Sequence, residues 1–190
     1  SLICDKLDIN VWELIKLANR HPRVNILQPG PGVGGHCIAV DPWFIVDSAP
    51  DEAKLIRMAR LVNDNKPNFV LNKIDCAVSL IGRSKMELKI ACLGLAFKPD
   101  IDDLRESPAL SIMRKISLMG FSEVLLAEPN IFTLPKEFKD KEQLVSLVLA
   151  DEAIRAADIV VLLVDHTPFK SIDLGLLSGK QIIDTRGIWS

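Results

Sequence analysis

Short apolar segments alternate with helical patterns throughout the second half of the chain, and this alternation limits the possible folds more than any other feature. Apolar runs with the length of buried strands occupy residues 88–93, 124–126, 159–164 and 181–184. Helical patterns over 107–119 and 152–157 separate them. Apolar strands joined through helices are typical of a parallel sheet covered on both faces. We therefore predict a doubly wound, Rossmann-like α/β domain, in which 144–149 is compatible with a strand or a helix.

Polar side chains follow directly after the predicted strands. In open parallel sheets the ligand crevice lies beyond the carboxyl ends of the strands. The residues expected there include Lys98, Glu128, Asp165 and Arg186. Arg105 adds a cation just before the helix predicted over 107–119, and helix N-termini favour anions. The pattern indicates a nucleotide or phosphate ligand at this edge of the sheet.

The first half of the chain has a helical pattern. Asn10 followed by Glu13 is a helix-start signal, and apolar residues at helical spacing follow it. A second helical pattern begins after Pro50 and runs to Gly82, and Pro67 must kink or split it. Because the chain begins inside an apolar helical pattern, we expect it to be a fragment of a longer protein. The predicted parts are a helical segment at 1–50, a connector helix at 51–82 and an α/β domain at 83–190.

The stretch 29–41 concentrates glycine around one cysteine, and it reads PGPGVGGHCIAVD. Glycine is concentrated in this way where the backbone adopts positive φ or approaches another group closely. These glycines lead to a thiol at Cys37 and a carboxylate at Asp41. We therefore predict that the stretch forms part of a functional site.

The same stretch also matches a dinucleotide-binding pattern. Gly30, Gly32 and Gly35 have the spacing G-x-G-x-x-G, which binds a pyrophosphate only where a helix begins at the third glycine. Pro42 and the strand-like residues Ile45 and Val46 follow, so we expect no helix there. The dinucleotide interpretation is therefore rejected.

The overall charge and hydropathy exclude several kinds of partner. Lys and Arg total 23 and Asp and Glu total 25, which gives a formal net charge of -2 with no block of either sign. We therefore expect no nucleic-acid partner and no membrane-surface partner. The longest apolar run, 159–164, is far shorter than the roughly 20 residues of a membrane-spanning helix.

The cysteines indicate a reducing compartment. The chain has 4 cysteines and none forms a C-x-x-C pair, so we predict neither a disulfide framework nor a metal site and expect a cytoplasmic location. Cys4, Cys76 and Cys92 lie in apolar periodic segments and are predicted to be buried and inert. Only Cys37 lies in a loop-like setting.

Two long motifs resemble one enzyme family. The first is the glycine stretch followed by Pro42, and the second, residues 94–108, reads GLAFKPDIDDLRESP. Together they closely resemble the UDP-glucose/GDP-mannose dehydrogenase family, and the residues around the cysteine, His36 and 40–43, resemble its UDP-N-acetylhexosamine branch. The resemblance covers essentially the whole chain. It implies the end of a helical central domain followed by a UDP-sugar-binding domain, with the family's NAD-binding domain located before Ser1.

The resemblance also implies a reaction. Family members oxidise the C6 alcohol of a UDP-sugar to a carboxylate with two NAD per turnover. The substrate expected here is a UDP-N-acetylhexosamine, and the N-acetylmannosamine epimer is the first candidate. Cys37 would capture the aldehyde as a thiohemiacetal that is oxidised to a thioester. Asp41 would position or activate the water that hydrolyses this thioester. Val40 stands where members acting on UDP-glucose tend to have a lysine, which disfavours that substrate.

Binding roles follow from the same motifs. The substrate-binding residues implied are Gly32, Gly34, Gly35, Phe97, Lys98 and Arg23, the last across the interface of a homodimer. Arg105 would reach the NAD of the assembled site. Because the family's catalytic lysine and asparagine precede Ser1, we expect this chain alone to bind UDP without turnover.

Two other functions stay open. In the first, the chain is a non-catalytic UDP-binding and dimerisation module. The second is a thiol hydrolase using Cys37 and His36, which is disfavoured because no nearby residue orients the histidine. The other histidines and the tryptophans are interpreted as structural, with His166 capping a strand end.

Overall fold

The computed structural model describes residues 1–189 and contains a parallel sheet of five strands. The strands are β1 Lys89–Leu93, β2 Glu123–Ala127, β3 Val145–Leu147, β4 Ile159–Leu162 and β5 Gln181–Asp184. Their order is β3-β2-β1-β4-β5, and every neighbouring pair is parallel. This order confirms the doubly wound, Rossmann-like fold, with its topological switch point between β1 and β4. The ambiguous segment at 144–149 supplies β3.

Eight α-helices surround this sheet or precede it within residues 1–189. They are α1 Leu2–Lys6, α2 Val11–Ala18, α3 Asp41–Ser48, α4 Lys54–Asp64, α5 Lys66–Ile81, α6 Pro108–Ile116, α7 Ala150–Ala156 and α8 Thr167–Lys170. Asn10 caps α2 as predicted, since its side chain accepts hydrogen bonds from the N–H groups of Trp12 and Glu13. None of the helices formed by residues 1–189 has the length and apolarity to cross a membrane.

The core lies on both faces of the sheet. Alternate residues of β1 point to opposite sides, and Ile90 and Cys92 pack with α5 and α6 whereas Ala91 and Leu93 pack with α7. All four side chains are fully buried. Complete burial of an Ile or Leu side chain contributes about 1.5–3 kcal/mol, so the two layers hold the strands in register. The strand ends that carry polar residues are thereby fixed in space.

The predicted connector helix is two helices. α4 ends at Asp64 and α5 begins at Lys66, with Pro67 in the first turn of α5, where its missing N–H is tolerated. α5 ends at Gly82, whose φ of 72° is the left-handed conformation common at helix ends. The division of the chain into 1–50, 51–82 and 83–190 stays a prediction.

A helix does follow the glycine stretch, and the expectation of no helix there was wrong. α3 begins at Asp41 and continues through Ile45 and Val46, because Pro42 lies in its first turn, where proline favours the helical φ. The helix starts at Asp41 rather than at Gly35, and within residues 1–189 the first strand is β1. The strand and helix positions of a dinucleotide-binding turn are therefore still absent from this part of the described chain.

Candidate active site

The glycine stretch lies against the α/β domain with no room for side chains. A Cβ on Gly34 would overlap the carbonyl oxygen of Glu106, and a Cβ on Gly35 would lie 3.0 Å from the Phe97 ring. A Cβ on Gly32 would lie 3.0 Å from the first residue of α6. The glycines therefore allow the loop to dock at the carboxyl edge of the sheet. Their predicted contacts with substrate stay a prediction.

Helix α4 holds the same loop from the other side. The Asn63 side chain accepts a hydrogen bond from the Val33 N–H at 2.7 Å and donates one to the Val33 carbonyl at 3.1 Å. Arg60 donates to the Ile38 carbonyl at 3.3 Å, and its side chain is almost fully buried. These two anchors flank Cys37 in the chain. They restrict the backbone on both sides of the thiol.

The sequence did not predict the roles of Arg60 and Asn63. Because these two residues are three positions apart in the sequence, both side chains lie on one face of α4. This spacing was the signal that the sequence offered for their shared role. Polar residues on an amphipathic helix ordinarily face solvent, so this signal does not separate anchors from surface positions. Arg60 is buried because the carboxylate of Asp64 accepts from its Nη2 at 2.7 Å.

Cys37 and Asp41 lie on one turn of backbone. The Cys37 carbonyl accepts hydrogen bonds from the N–H groups of Val40 at 3.0 Å and Asp41 at 2.8 Å, so the chain turns directly into α3. Both Cys37 and Asp41 are exposed. The structure therefore presents an accessible thiol and an accessible carboxylate one turn apart.

Arg105 lies close to this thiol. Its guanidinium donates to both oxygens of Asp103, with Nη2 at 2.6 Å, and this pair raises the pKa of Arg105, with a smaller contribution from the nearby Cys37. The same hydrogen bonds lower the pKa of Asp103 to about 2. Because the Arg105 side chain is 66% exposed, most of the cation is still available to a ligand.

A large cleft connects these groups. It has a volume of about 1070 Å³ and lies between the glycine stretch, α4 and the segment before α6. Cationic and neutral polar residues on its wall are His36, Arg60, Asn63, Arg105, Ser107, Ser111 and Arg114, and the acidic residues are Asp64, Asp102, Asp103 and Glu106. The structure therefore brings the neighbour of Cys37 and the predicted cofactor residue to one cavity.

Lys98 and Phe97 lie at the switch point of the sheet. They line a smaller cavity of about 70 Å³ together with Gly32, Asp165 and Arg186. Lys98 is exposed, and its Nζ lies 5.6 Å from the centre of the Phe97 ring. Arg186 is engaged within the protein, because its Nε donates to Asp165 at 2.6 Å. Lys98 is thus the more accessible of these two cations at the predicted crevice.

Arg23 lies apart from the other predicted residues. It is exposed in the turn after α2, and its N–H donates to the His21 ring at 3.2 Å. Among the cavities formed by residues 1–189, neither the large cleft nor the cavity beside Lys98 includes it. Its role as a substrate residue across a dimer stays a prediction.

Two of the other three cysteines differ from their predicted burial. Cys92 is buried, and burial raises the pKa of its thiol to about 12, so it is inert as predicted. Cys4 is only half-buried, and Cys76 is exposed because it faces outward from α5, so the predicted burial of both is corrected. Within residues 1–189 no group of three or more His, Cys, Asp or Glu side chains is placed to hold a metal ion.

The fold and the site together define a nucleotide-binding α/β domain joined to a helical segment that presents an exposed thiol. Residues 91–190 match the UDP binding domain of the UDP-glucose/GDP-mannose dehydrogenase family, and residues 1–65 match the central domain of the same family. The chain belongs to this family, as its two motifs predicted.

Individual members of the family can be compared with this chain by sequence and by structure. The chain is 56% identical to an NDP-N-acetyl-D-galactosaminuronic acid dehydrogenase of Ralstonia solanacearum, over 100% of this chain and 43% of the relative. It is 55% identical to the UDP-N-acetyl-D-mannosamine dehydrogenase of Salmonella typhi, over 100% of this chain and 45% of the relative. The solved UDP-D-ManNAc dehydrogenase of Pyrococcus horikoshii superposes with a TM-score of 0.83 at 34% identity, covering 98% of this chain and 43% of that one. The chain spans less than half the length of these relatives.

Proposed function

We propose that this chain forms the nucleophile loop and the UDP-binding domain of an NAD-dependent UDP-N-acetylhexosamine 6-dehydrogenase. One observation carries the proposal: Cys37 is exposed on a loop that is held from both sides at a cleft shared with Arg105. A buried cysteine such as Cys92 has no comparable access to a substrate.

The proposed substrate is UDP-N-acetyl-D-mannosamine. A relative that is 55% identical is named a UDP-N-acetyl-D-mannosamine dehydrogenase, and another that is 56% identical is named an NDP-N-acetyl-D-galactosaminuronic acid dehydrogenase. Both names contain an N-acetylated sugar. Lys98 is the proposed contact for the UDP part, since it is an exposed cation at the switch point where such sheets bind ligands. Phe97 lies beside it and supports the glycine loop.

The residues of the chain suit the oxidation of an aldehyde to an acid. The Cys37 thiolate adds to the aldehyde carbon, which forms a thiohemiacetal, and loss of a hydride from that carbon leaves a thioester. Water then displaces the thiol and releases the carboxylate, with Asp41 accepting a proton from the water. Backbone N–H groups of the loop are available to stabilise the oxyanion that forms in each addition.

The side chain of Arg105 fits a phosphate of NAD, the cofactor that the family implies. Arg105 is a largely exposed guanidinium at the cleft, and guanidinium groups bind phosphates in a bidentate manner. Arg105 would therefore hold a phosphate of NAD. When bound, NAD accepts the hydrides removed from the substrate carbon.

A homodimer is part of the proposal. Helix α4 exposes an apolar face formed by Leu55, Met58, Leu61 and Val62. Apolar faces of this kind are typical of protein–protein contacts.

The test replaces the nucleophile in a full-length enzyme that includes the NAD-binding domain. In Cys37→Ser we expect formation of the sugar acid to fall by on the order of a thousandfold or more, because a serine hydroxyl is a far weaker nucleophile than a thiolate. NADH formation and acid product are measured with UDP-N-acetyl-D-mannosamine and NAD. The 190-residue chain alone is expected to bind UDP and form no NADH.

Cys76→Ser is the matched control, since Cys76 is also exposed but lies on α5. Its rate should equal that of the unmodified enzyme. An undiminished rate in Cys37→Ser would eliminate the nucleophile assignment and favour the non-catalytic UDP-binding module.

A further inference from the structure

Two buried polar side chains lie beneath the loop that carries Lys98. Glu128 follows β2 and His166 follows β4, so they lie on opposite sides of β1 at the carboxyl edge of the sheet. Both side chains are fully buried, and His166 Nε2 lies 3.0 Å from Glu128 Oε2. Buried polar groups cost free energy unless they are hydrogen-bonded, so the partners of this pair indicate what it stabilises.

The partners of Glu128 Oε2 and His166 Nδ1 include backbone N–H groups of the Lys98 loop, while Glu128 Oε1 accepts from the N–H of Asn130 at 3.1 Å and from its amide at 3.4 Å. Glu128 Oε2 accepts from the N–H of Ala96 at 3.3 Å and from the preceding N–H at 2.7 Å. His166 Nδ1 accepts from the N–H of Asp100 at 2.9 Å. Lys98 lies midway between Ala96 and Asp100 in the chain. One buried pair therefore holds the backbone on both sides of this lysine.

These hydrogen bonds assign the tautomer of His166. Its Nδ1 faces the Asp100 N–H, so it carries no proton, and the proton is on Nε2, which donates to Glu128. Burial raises the pKa of Glu128, but hydrogen bonds from His166 and Leu95 outweigh it and keep the pKa below its ordinary value. The other polar groups facing the ring are the Asp100 carboxylate, at 3.9 Å, and the Asn130 amide, at 3.1 Å.

The far end of the loop has its own anchor. The Asp100 carboxylate accepts from the Thr167 N–H at 2.8 Å and from the Thr167 hydroxyl at 2.7 Å. Asp100 itself has a φ of 61°, a conformation uncommon for residues with a side chain. The hydrogen bonds to Thr167 and His166 hold the backbone in this turn.

We propose that Glu128 and His166 are positioning residues that hold Lys98 in place for UDP, an inference that rests on the proposed function. A lysine side chain is long and flexible, so the position of its ammonium depends on a fixed backbone. A loop that is already ordered loses less conformational entropy when the ligand binds. The pair thus contributes to affinity without touching the ligand.

The test is Glu128→Gln in the 190-residue chain. Glutamine keeps the size of the side chain but is neutral and has one acceptor oxygen, whereas Oε2 of Glu128 accepts from the loop and from His166 and Oε1 accepts from Asn130. If the glutamine NH₂ takes the place of Oε2, both loop hydrogen bonds are lost. If it takes the place of Oε1, the loop N–H groups keep only a neutral acceptor, which binds them about half as strongly as a carboxylate. Calorimetry with UDP should show an affinity weakened by about tenfold or more.

A spectroscopic measurement distinguishes an effect on the position of Lys98 from a general loss of stability. In the original chain, ¹⁵N NMR should show His166 as the neutral Nε2–H tautomer. In Glu128→Gln we expect a changed imidazole signal together with a displaced amide signal for Lys98. The control is Ser122→Ala, which removes a 2.8 Å hydrogen bond to the Leu88 carbonyl at the opposite edge of the sheet. This control should bind UDP with unchanged affinity.

Lys98→Ala distinguishes the two hypotheses. If Lys98→Ala weakens UDP binding while Glu128→Gln changes it by less than about twofold, the pair is only structural and the inference is overturned. If Lys98→Ala itself has no effect, the proposed UDP contact of Lys98 fails, and the positioning role fails with it. Weakening in both variants, with Ser122→Ala unchanged, supports the inference.

Discussion

Cys37 and Cys76 are both exposed, but their surroundings differ. Cys76 lies on the outer face of α5, whereas Cys37 lies close enough to Arg105 to contribute to the raised pKa of that guanidinium. Exposure alone therefore does not separate the two cysteines, whereas the docked loop and the cleft that this loop shares with Arg105 do.

Thiol labelling tests these differences residue by residue. In the native chain at pH 8, a maleimide or disulfide reagent should label Cys37 and Cys76 rapidly and Cys4 more slowly. Cys92 should react only after unfolding, because it is buried and burial raises its pKa to about 12. Mass spectrometry of digested samples measures each rate. Rapid labelling of Cys92 in the folded chain would contradict the buried strand.

Helix α4 acts as one wall of the candidate site. Asn63 binds both backbone groups of Val33, and Arg60 binds the Ile38 carbonyl, so a single helix face contacts the loop before and after Cys37. The opposite wall is the α/β domain, which the glycines approach closely. The glycine stretch is therefore ordered by packing between two elements, and its glycines allow the close approach.

Asn63→Ala removes one of these contacts. Loss of two hydrogen bonds of about 0.5–1.5 kcal/mol each should lower the free energy of unfolding and loosen the loop, which makes Cys37 react faster with a thiol reagent. Urea unfolding and the alkylation rate of Cys37 measure the two effects. The matched control is Asn68→Ala on α5, whose amide binds Asn65 and not the loop. Equal alkylation rates in both variants would show that Asn63 does not order the loop.

The sequence predicted elements better than contacts. Four of the five strands contain apolar runs, a local signal that does not depend on distant partners, so they were predicted correctly. β3 is short and mixed, and its segment was left open between strand and helix. Helix α3 was missed because Ile45 and Val46 favour strands while the helix-start role of Pro42 depends on the turn before it.

The motifs identified Cys37, Lys98 and Arg105, but the residues that hold them could not be found in this way. Arg60 contacts a residue 22 positions away, and His166 contacts Glu128 across 38 positions. A strand-end glutamate and a loop histidine have no local pattern that marks them as a buried pair. Their partners are set by the strand order, which brings β2 and β4 to either side of β1.

At the scale of the whole molecule, ionised carboxylates connect the carboxyl ends of the strands to the loops that follow these strands. Glu128 binds the start of the Lys98 loop, Asp100 binds Thr167, and Asp103 binds Arg105. Hydrogen bonds lower the pKa of all three carboxyl groups. Thr167 donates these hydrogen bonds to Asp100, and Arg105 donates them to Asp103. Burial raises the pKa of Glu128, but the hydrogen bonds to this group outweigh that effect. Each group therefore binds protons less readily in the folded chain than in the unfolded chain.

This difference predicts how stability depends on pH. Groups with a lowered pKa stabilise the fold fully above their ordinary values, 3.8 for Asp and 4.5 for Glu, and lose this contribution as the pH falls through the lower folded values. Urea unfolding should therefore show that these groups contribute equally at pH 7 and pH 6, and progressively less from about pH 4.5 towards pH 2. Glu128→Gln should lose part of this acid dependence, whereas Glu142→Gln, at an exposed position, should keep it. A free energy of unfolding that stays constant down to pH 2, or the same acid dependence in both variants, would show that the buried Glu128 is not ionised in the folded protein.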